Sequence, residues 1–231
     1  MNEITVLYDN RANDGLRPGW GFAAAIRTAG ALVLFDTGAD KLVLEHNAAA
    51  LGVDLDAVTA LALSHEHCDH VGAVSSAVHR GLHLYVPAAF AKRYARAGNA
   101  GVTLHRVKRP TDIVPGVRST GQISGPTPEQ ALLVEGSNGP ALVTGCAHPG
   151  ILRVARRAIR LAGGRLDLVV GGFHLFRHKP EDLERTVSEL AALPIARLAP
   201  CHCTGEKGIA ALRSAFAERF VEVAAGTRIP L

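Results

Sequence analysis

Along this chain short apolar runs repeatedly stop at a polar residue, a glycine or a proline. Ile4 to Tyr8 alternates with period two and reads as a strand ending in Asp9-Asn10. A loop through Gly15, Pro18 and Gly19 leads past Trp20-Gly21-Phe22 to a second strand, Ala23 to Thr28. Trp20 and Phe22 are placed to line the mouth of a site, with at least one of them expected in the core. Ala31 to Phe35 is an apolar strand that halts at Asp36-Thr37-Gly38, and a helix from Asp40 to Leu51 starts at a capping Asp40 and stops at Gly52. Val58 to Leu63 predicts another strand, followed by a polar heptapeptide and a small-residue helical run, Val71 to Val78.

His83 to Val86 reads as a strand and Ala88 to Ala97 as a helix closed by Gly98-Asn99. Strands follow at Val102 to Val107, Ile113 to Val114 and Val117 to Thr120, then a glycine- and proline-rich loop, Gly121 to Glu129, that could border a site. Gln130 to Val134 and Pro140 to Thr144 flank Gly136-Ser137-Asn138-Gly139, a hairpin signal. From there one unit recurs: apolar strand, glycine or proline, histidine, helix. Ala141 to Thr144 runs through Gly145-Cys146-Ala147-His148 into a helix over Ile151 to Ala162. Leu166 to Val170 runs through Gly171-Gly172-Phe173-His174 into Glu181 to Ala192, and Arg197 to Ala199 runs through Pro200-Cys201-His202 into a helix from about Glu206 to Glu218. Strands of similar direction put these histidines at one edge of an α/β structure, where ligands gather at strand carboxyl ends.

The heptapeptide Ser64-His65-Glu66-His67-Cys68-Asp69-His70 belongs to the same edge, since it follows a strand directly. His65 and His67, two apart, can point the same way on extended backbone and hold one metal ion. Asp69 and His70 can aim at a second ion a few ångströms away. Neutral imidazole and carboxylate suit zinc, iron or manganese. Asp36, at another strand end, is placed to hydrogen-bond a ligand histidine or loop amides rather than to ligate. His46, His79, His83, His105 and His178 lack such placement and read as surface or core residues.

Composition narrows the partners. The 231 residues are 48% apolar and 20% charged, a globular balance that predicts one domain over 1–231. A net charge of +4 and a pI near 9.1 permit an anionic or phosphorylated small-molecule substrate, while no compact basic run suggests nucleic acid. No signal-like N-terminus and no apolar run near ~20 residues is present, so a cytoplasmic protein without a membrane anchor is expected. Cys68, Cys146, Cys201 and Cys203 each lie within two residues of a candidate histidine and read as exposed thiols safest in a reducing compartment. Oligomeric state is not encoded in these patterns.

His65-Glu66-His67-Cys68-Asp69-His70 resembles the HxHxDH signature of the metallo-β-lactamase fold superfamily. The resemblance implies a four-layer αββα sandwich with a metal centre at one edge between two sheets. Val6 to Asn10, Trp20-Gly21-Phe22, Leu34 to Gly38, Thr144 to Ile151, Gly171 to Leu175 and Pro200 to Gly205 are similar to one branch, the dihydropterin ribofuranosyl-aminobenzene phosphate synthase-like proteins. On this resemblance His65, His67 and His148 are assigned to a first divalent ion, and Asp69, His70 and His202 to a second. Many relatives carry a bridging Asp between the third and last histidines, and Gly171-Gly172-Phe173-His174 has none. Either His174 ligates in its place, or His148 bridges, or the second ion binds weakly. A non-ligating His174 would face substrate as acid, base or hydrogen-bond donor.

The expected chemistry is metal-dependent hydrolysis of a small ester, lactone or phosphate-containing substrate, with Asp69 and His174 as catalytic residues and zinc as the leading metal. Two alternatives stand beside it. One is the synthase-type transferase, for which Arg153, Arg156, Arg157 and Arg160 could attract phosphates, although the solvated face of an amphipathic helix accounts for them better. The other is a diiron redox or binding protein.

Overall fold

Period-two alternation inside single strands sorts the apolar residues into layers. In β3, Leu32–Phe35, Val33 and Phe35 join one cluster while Leu32 and Leu34 join another, and all four are buried. The computed structural model describes residues 2–231. Its first sheet has seven strands in the order β13 (Arg228–Pro230), β1 (Glu3–Tyr8), β2 (Ala23–Arg27), β3, β4 (Ala60–Ala62), β5 (His83–Pro87) and β6 (Thr103–Val107). The second has six, in the order β12 (Ile195–Cys201), β11 (Leu166–Gly172), β10 (Ala141–Thr144), β9 (Leu132–Val134), β8 (Val117–Ser119) and β7 (Thr111–Val114).

The sheets face each other across Ile4, Val6, Val33 and Phe35 on one side and Val134, Val143, Leu168 and Val170 on the other. The outer face of the first sheet, with Leu7, Leu34 and Leu61, packs on Leu44 and Ala48 of α1 (Lys41–Ala50). Leu142 and Val169 of the second sheet pack on α3 (Ile151–Leu161), α4 (Pro180–Ala191) and α5 (Gly205–Phe216) through Val154, Leu190 and Leu212. The result is helices, sheet, sheet, helices, the four-layer αββα arrangement expected. Fully burying each such aliphatic side chain contributes about 1.5–3 kcal/mol.

Asp40 caps α1 by accepting hydrogen bonds from Leu42 N (2.7 Å) and Val43 N (3.2 Å). Two expected helices are shorter or absent. The heptapeptide itself closes in one helical turn, α2 (Cys68–Val71), where Gly72 N–H is shared between Cys68 O (2.8 Å) and Gly38 O (2.9 Å), and the expected run beyond it keeps only an i→i+3 turn at Val74–Ser76. Between Ala88 and Ala97 the chain turns in i→i+3 steps at Ala91–Tyr94 and again at Ala97–Ala100. There Ala88 N–H still bonds Val107 O of β6, and burial of Phe90 overrides the helical propensity of the run.

The crossovers decide where the chemistry sits. β3, β4 and β5 are parallel neighbours, as are β10, β11 and β12, and β1 and β3 both run antiparallel to β2. The carboxyl ends of β1, β3, β4, β10, β11 and β12 are therefore gathered along one edge. The backbone is forced left-handed just beyond four of them, at Asp36 (φ 58°), Ala147 (φ 59°), His174 (φ 54°) and His202 (φ 49°). Such conformations cost non-glycine residues of the order of 1–3 kcal/mol and cluster where function fixes a side chain's aim.

Candidate metal centre

Two groups of side chains converge at this edge. His65, His67 and His148 form the first, with ring centroids 4.5 to 4.8 Å apart. Asp69, His70, His202 and Cys146 form the second. There His70 Nε2 lies 3.1 Å from Cys146 Sγ and 3.2 Å from His202 Nε2, and Asp69 Oδ2 lies 3.8 and 3.4 Å from the same two nitrogens. His174 stands against His148, centroids 4.4 Å apart, and shares a third grouping with His148 and Cys146. The sequence-assigned sets of three are thus each brought together. Cys146, not singled out as a ligand, lies on the boundary between them.

How each imidazole is held settles which nitrogen carries its proton. Asp36, fully buried at the end of β3, accepts from Ser64 N (2.6 Å), Ser64 Oγ (2.6 Å) and His70 Nδ1 (2.7 Å). Since the Ser64 hydroxyl donates to Asp36, it accepts from His65 Nδ1 at 2.8 Å. Glu129, also buried, accepts from the amides of Cys146, Ala147 and His148 and from His148 Nδ1 (3.0 Å). Asn10 Oδ1 accepts from His202 Nδ1 (3.0 Å), its amide orientation fixed by the donation from Nδ2 to His202 O, while Asp9 accepts from His202 N. In all four rings Nδ1 is the donor, so a neutral ring presents the Nε2 lone pair to the cleft.

That arrangement fits cations. His65 is fully buried and its Nε2 has no hydrogen-bond partner, an omission that costs about 1–3 kcal/mol unless something fills it. Nε2 of His70, Nε2 of His202 and the Asp69 carboxylate crowd together beside the Cys146 thiol, so these groups must share a proton or a cation. Burial, together with the neighbouring His202, lowers the His70 pKa to about 3, and burial beside His70 pushes His65 well below its ordinary value. Both rings are therefore neutral near pH 7 and free to ligate. Burial alone would raise the Asp69 carboxyl, but the approach of His202 and His70 outweighs it and holds the group well below the usual range. Burial of Glu129 is likewise outweighed, by His148, His65 and the loop amides, and its pKa falls to about 2.

Small residues let the halves meet. A side chain at Gly145, just past β10, would collide with Ser64 Oγ and approach Asp36 Oδ2 to 3.1 Å.

The thiols differ from expectation. Cys68 is exposed, but Cys146, Cys201 and Cys203 are buried, because the strand ends that carry them are covered by the opposite sheet and α5. The remaining histidines are engaged elsewhere or exposed: His46 with Gly15 O, His79 with Val58 O, and His83 with His105 at 2.9 Å, while His178 is exposed. Asp167 pairs with Arg197, away from the cleft. The anchors Glu129, Asn10, Asp9 and Ser64 were not identified from sequence as site residues. Their local signals were positional only: Asp9-Asn10 end β1, Ser64 opens the heptapeptide and Glu129 closes the loop expected to border a site.

A family model described as the metallo-beta-lactamase superfamily matches residues 17–202. The chain is 24% identical to the 7,8-dihydropterin-6-methyl-4-(beta-D-ribofuranosyl)-aminobenzene-5'-phosphate synthase of Methanocaldococcus jannaschii, over 84% of this chain and 82% of that one. Among solved structures, a metal-dependent hydrolase of the beta-lactamase superfamily superposes with a TM-score of 0.83 at 24% identity, covering 100% of this chain and 99% of the other. Zn(2+)-bound PqqB from Methylobacterium extorquens superposes with a TM-score of 0.67 at 16% identity, covering 99% and 100%. At these identities the structural likeness carries the fold alone. With the family model spanning most of its length, the chain belongs to the metallo-β-lactamase superfamily.

Proposed function

We propose that this protein is a metal-dependent hydrolase of a small ester, lactone or phosphate-containing substrate. The observation that carries the reading is the pair of convergent donor groups whose four buried or half-buried imidazoles are tied at Nδ1 and turn Nε2 into one cleft. His65, His67 and His148 would hold one divalent ion, and Asp69, His70 and His202 the other. Cys146 Sγ, 3.1 Å from His70 Nε2, would add a sulfur donor to the second group. Zinc fits this mixture of imidazole, carboxylate and thiolate. When bound, such ions lower the pKa of a water molecule to near neutrality and polarise the oxygen of the bond to be broken.

The chain's own groups do the rest. Asp69, ionised at neutral pH, accepts a hydrogen bond from the attacking water at Oδ2 and fixes its direction. His174, half-buried with an Nδ1 that has no protein partner, can give a proton to the leaving oxygen. A cavity of about 130 Å³ beside His148 and His174, lined also by Ile151 and Phe173, limits what fits on that side to a small group. The unpaired thiols suit a reducing compartment, and we assign the protein to the cytoplasm; no helix among the described residues is long and apolar enough to cross a membrane.

The synthase-named relative supports the transferase as a second reading. The arginines offered for it are largely committed: Arg153 donates to Ser124 O, Arg157 to Thr120 O, and Arg156 pairs with Glu189. Metal analysis of purified protein, followed by assay against esters, lactones and phosphodiesters, tests the proposal. Two metal equivalents and a turnover abolished in His67→Ala and Asp69→Ala are expected. A metal-loaded protein inert to the whole panel would refute hydrolysis.

A further inference from the structure

Among the described residues three large apolar side chains are exposed: Trp20 (54%), Leu42 (67%) and Phe176 (39%). Two of them meet at the rim of the cleft. Trp20 and Phe176 lie 6.1 Å apart with their planes at 69°, so the rings form a corner. Trp20 also stands 5.0 Å from His202, and Phe176 stands 5.3 Å from His174. Folding does not require this exposure, since large aromatic side chains gain most from burial.

The corner is held rigidly by the groups that hold the cleft. Gly19 N–H bonds Asp9 O (3.0 Å), Gly21 N–H bonds Asn10 Oδ1 (3.4 Å), and Phe22 N–H bonds Asp69 O (3.2 Å). Gly21 adopts φ +151°, and any side chain there would collide with Asp69 O. Trp20 is thus strapped between the loop that orients His202 and the loop that carries Asp69. On the other side Phe176 N–H bonds Cys203 O (3.4 Å). Exposed aromatic groups on a fixed backbone bind flat partners with little ordering cost.

Charge adds a second requirement. The Arg177 guanidinium lies over Phe176, 5.0 Å from its centroid, and neither Arg177 nor Lys179 has a carboxylate within ion-pairing distance among the described residues. We infer that Trp20 and Phe176 form a stacking clamp for a flat aromatic group, and that Arg177 receives a negative charge borne by the same substrate, so that the cleft takes aryl esters of an acid, aryl phosphates foremost. This rests on reading the cleft as a metal site and deepens that reading by naming a substrate class.

Trp20 is the chain's one tryptophan, so intrinsic emission reports on the clamp directly. The zinc-loaded protein is titrated with phenylphosphonate and methylphosphonate, which share an anionic head and resist hydrolysis, with affinity taken from calorimetry. Phenylphosphonate is expected to bind roughly tenfold more tightly and to shift Trp20 emission. Phe176→Ala is expected to cut that preference to about threefold or less, and Arg177→Ala to weaken both ligands alike. Equal affinities with unmoved emission would overturn the clamp and leave hydrolysis untouched. A phenyl preference in a protein inert to aryl esters and to the rest of the panel would overturn hydrolysis and leave the clamp standing. Emission that shifts with protein concentration, without phenyl preference, would assign the rim to self-association and end the proposal.

Discussion

The inner and outer walls of the cleft are built on opposite principles. His65, His70, His148 and His202 each have Nδ1 tied to a neighbour, three of these ties ending directly or through Ser64 on the buried carboxylates Asp36 and Glu129. His67 is exposed and His174 has an unpartnered Nδ1, and beside them stand the exposed rings of Trp20 and Phe176. The inner wall has its tautomers and ring orientations fixed before anything binds. The outer wall leaves the His67 ring and the aromatic faces of Trp20 and Phe176 open to whatever arrives. The centre proposed above, recruiting cations in a set geometry yet accommodating a substrate, would need both.

The largest effect that would sharpen this contrast is loss of a ligand from the inner wall. His70→Ala is expected to remove one metal equivalent, read by elemental analysis, and to reduce turnover by well over about 100-fold, beyond the usual cost of disturbing a group that only orients a ligand. Glu129→Gln comes next: about 10- to 100-fold in metal affinity at the first site, with thermal stability lowered as well because three loop amides and His148 lose their carboxylate. Full metal affinity in Glu129→Gln would show that the tie to His148 is dispensable.

Acid is expected to cost the fold stability through the inner wall. His70 titrates at about 3 when folded against an unfolded value near 6.5, so the unfolded chain takes up the proton first and stability falls as pH drops below 6.5. Glu129 titrates at about 2 against 4.5, so its contribution is fully present above 4.5 and is lost as pH falls toward 2. Melting curves of metal-free protein should therefore shift downward from pH 7 to pH 4, with Glu129→Gln flattening the part below 4.5. A midpoint constant over that range would contradict the neutral-ring assignment. The smallest effect is expected from His174→Asn on the outer wall: metal content unchanged, kcat down by at least about tenfold, and KM little altered. Loss of metal in that variant would move His174 to the inner wall.

The convergence of the candidate ligands was legible in the sequence because each lies at or just beyond a strand end, and the strand-end rule needs only local pattern. His65, His67, Asp69 and His70 lie within one loop, and the recurring strand, glycine or proline, and histidine brought His148, His174 and His202 to the same edge. Apart from Asp36, marked by its place at a strand end, their anchors were not legible. Glu129 reaches amides 17 to 19 residues further on, and Asn10 reaches a ring 192 residues away, contacts to which no short-range pattern refers. Cys146 was read as one of several exposed thiols, because spacing does not reveal that the other sheet covers the end of β10. The layered fold followed from the resemblance carried by the histidine motif, whereas the turns at Ala91–Tyr94 depend on burial of Phe90 that propensity ignores.

The most direct test of the central claim is anomalous diffraction from crystals of the zinc-loaded protein, recorded on both sides of the zinc absorption edge. The account predicts two peaks, one among His65, His67 and His148, the other among Asp69, His70, Cys146 and His202. Zinc bound elsewhere, or no peak within reach of those imidazoles, would contradict it.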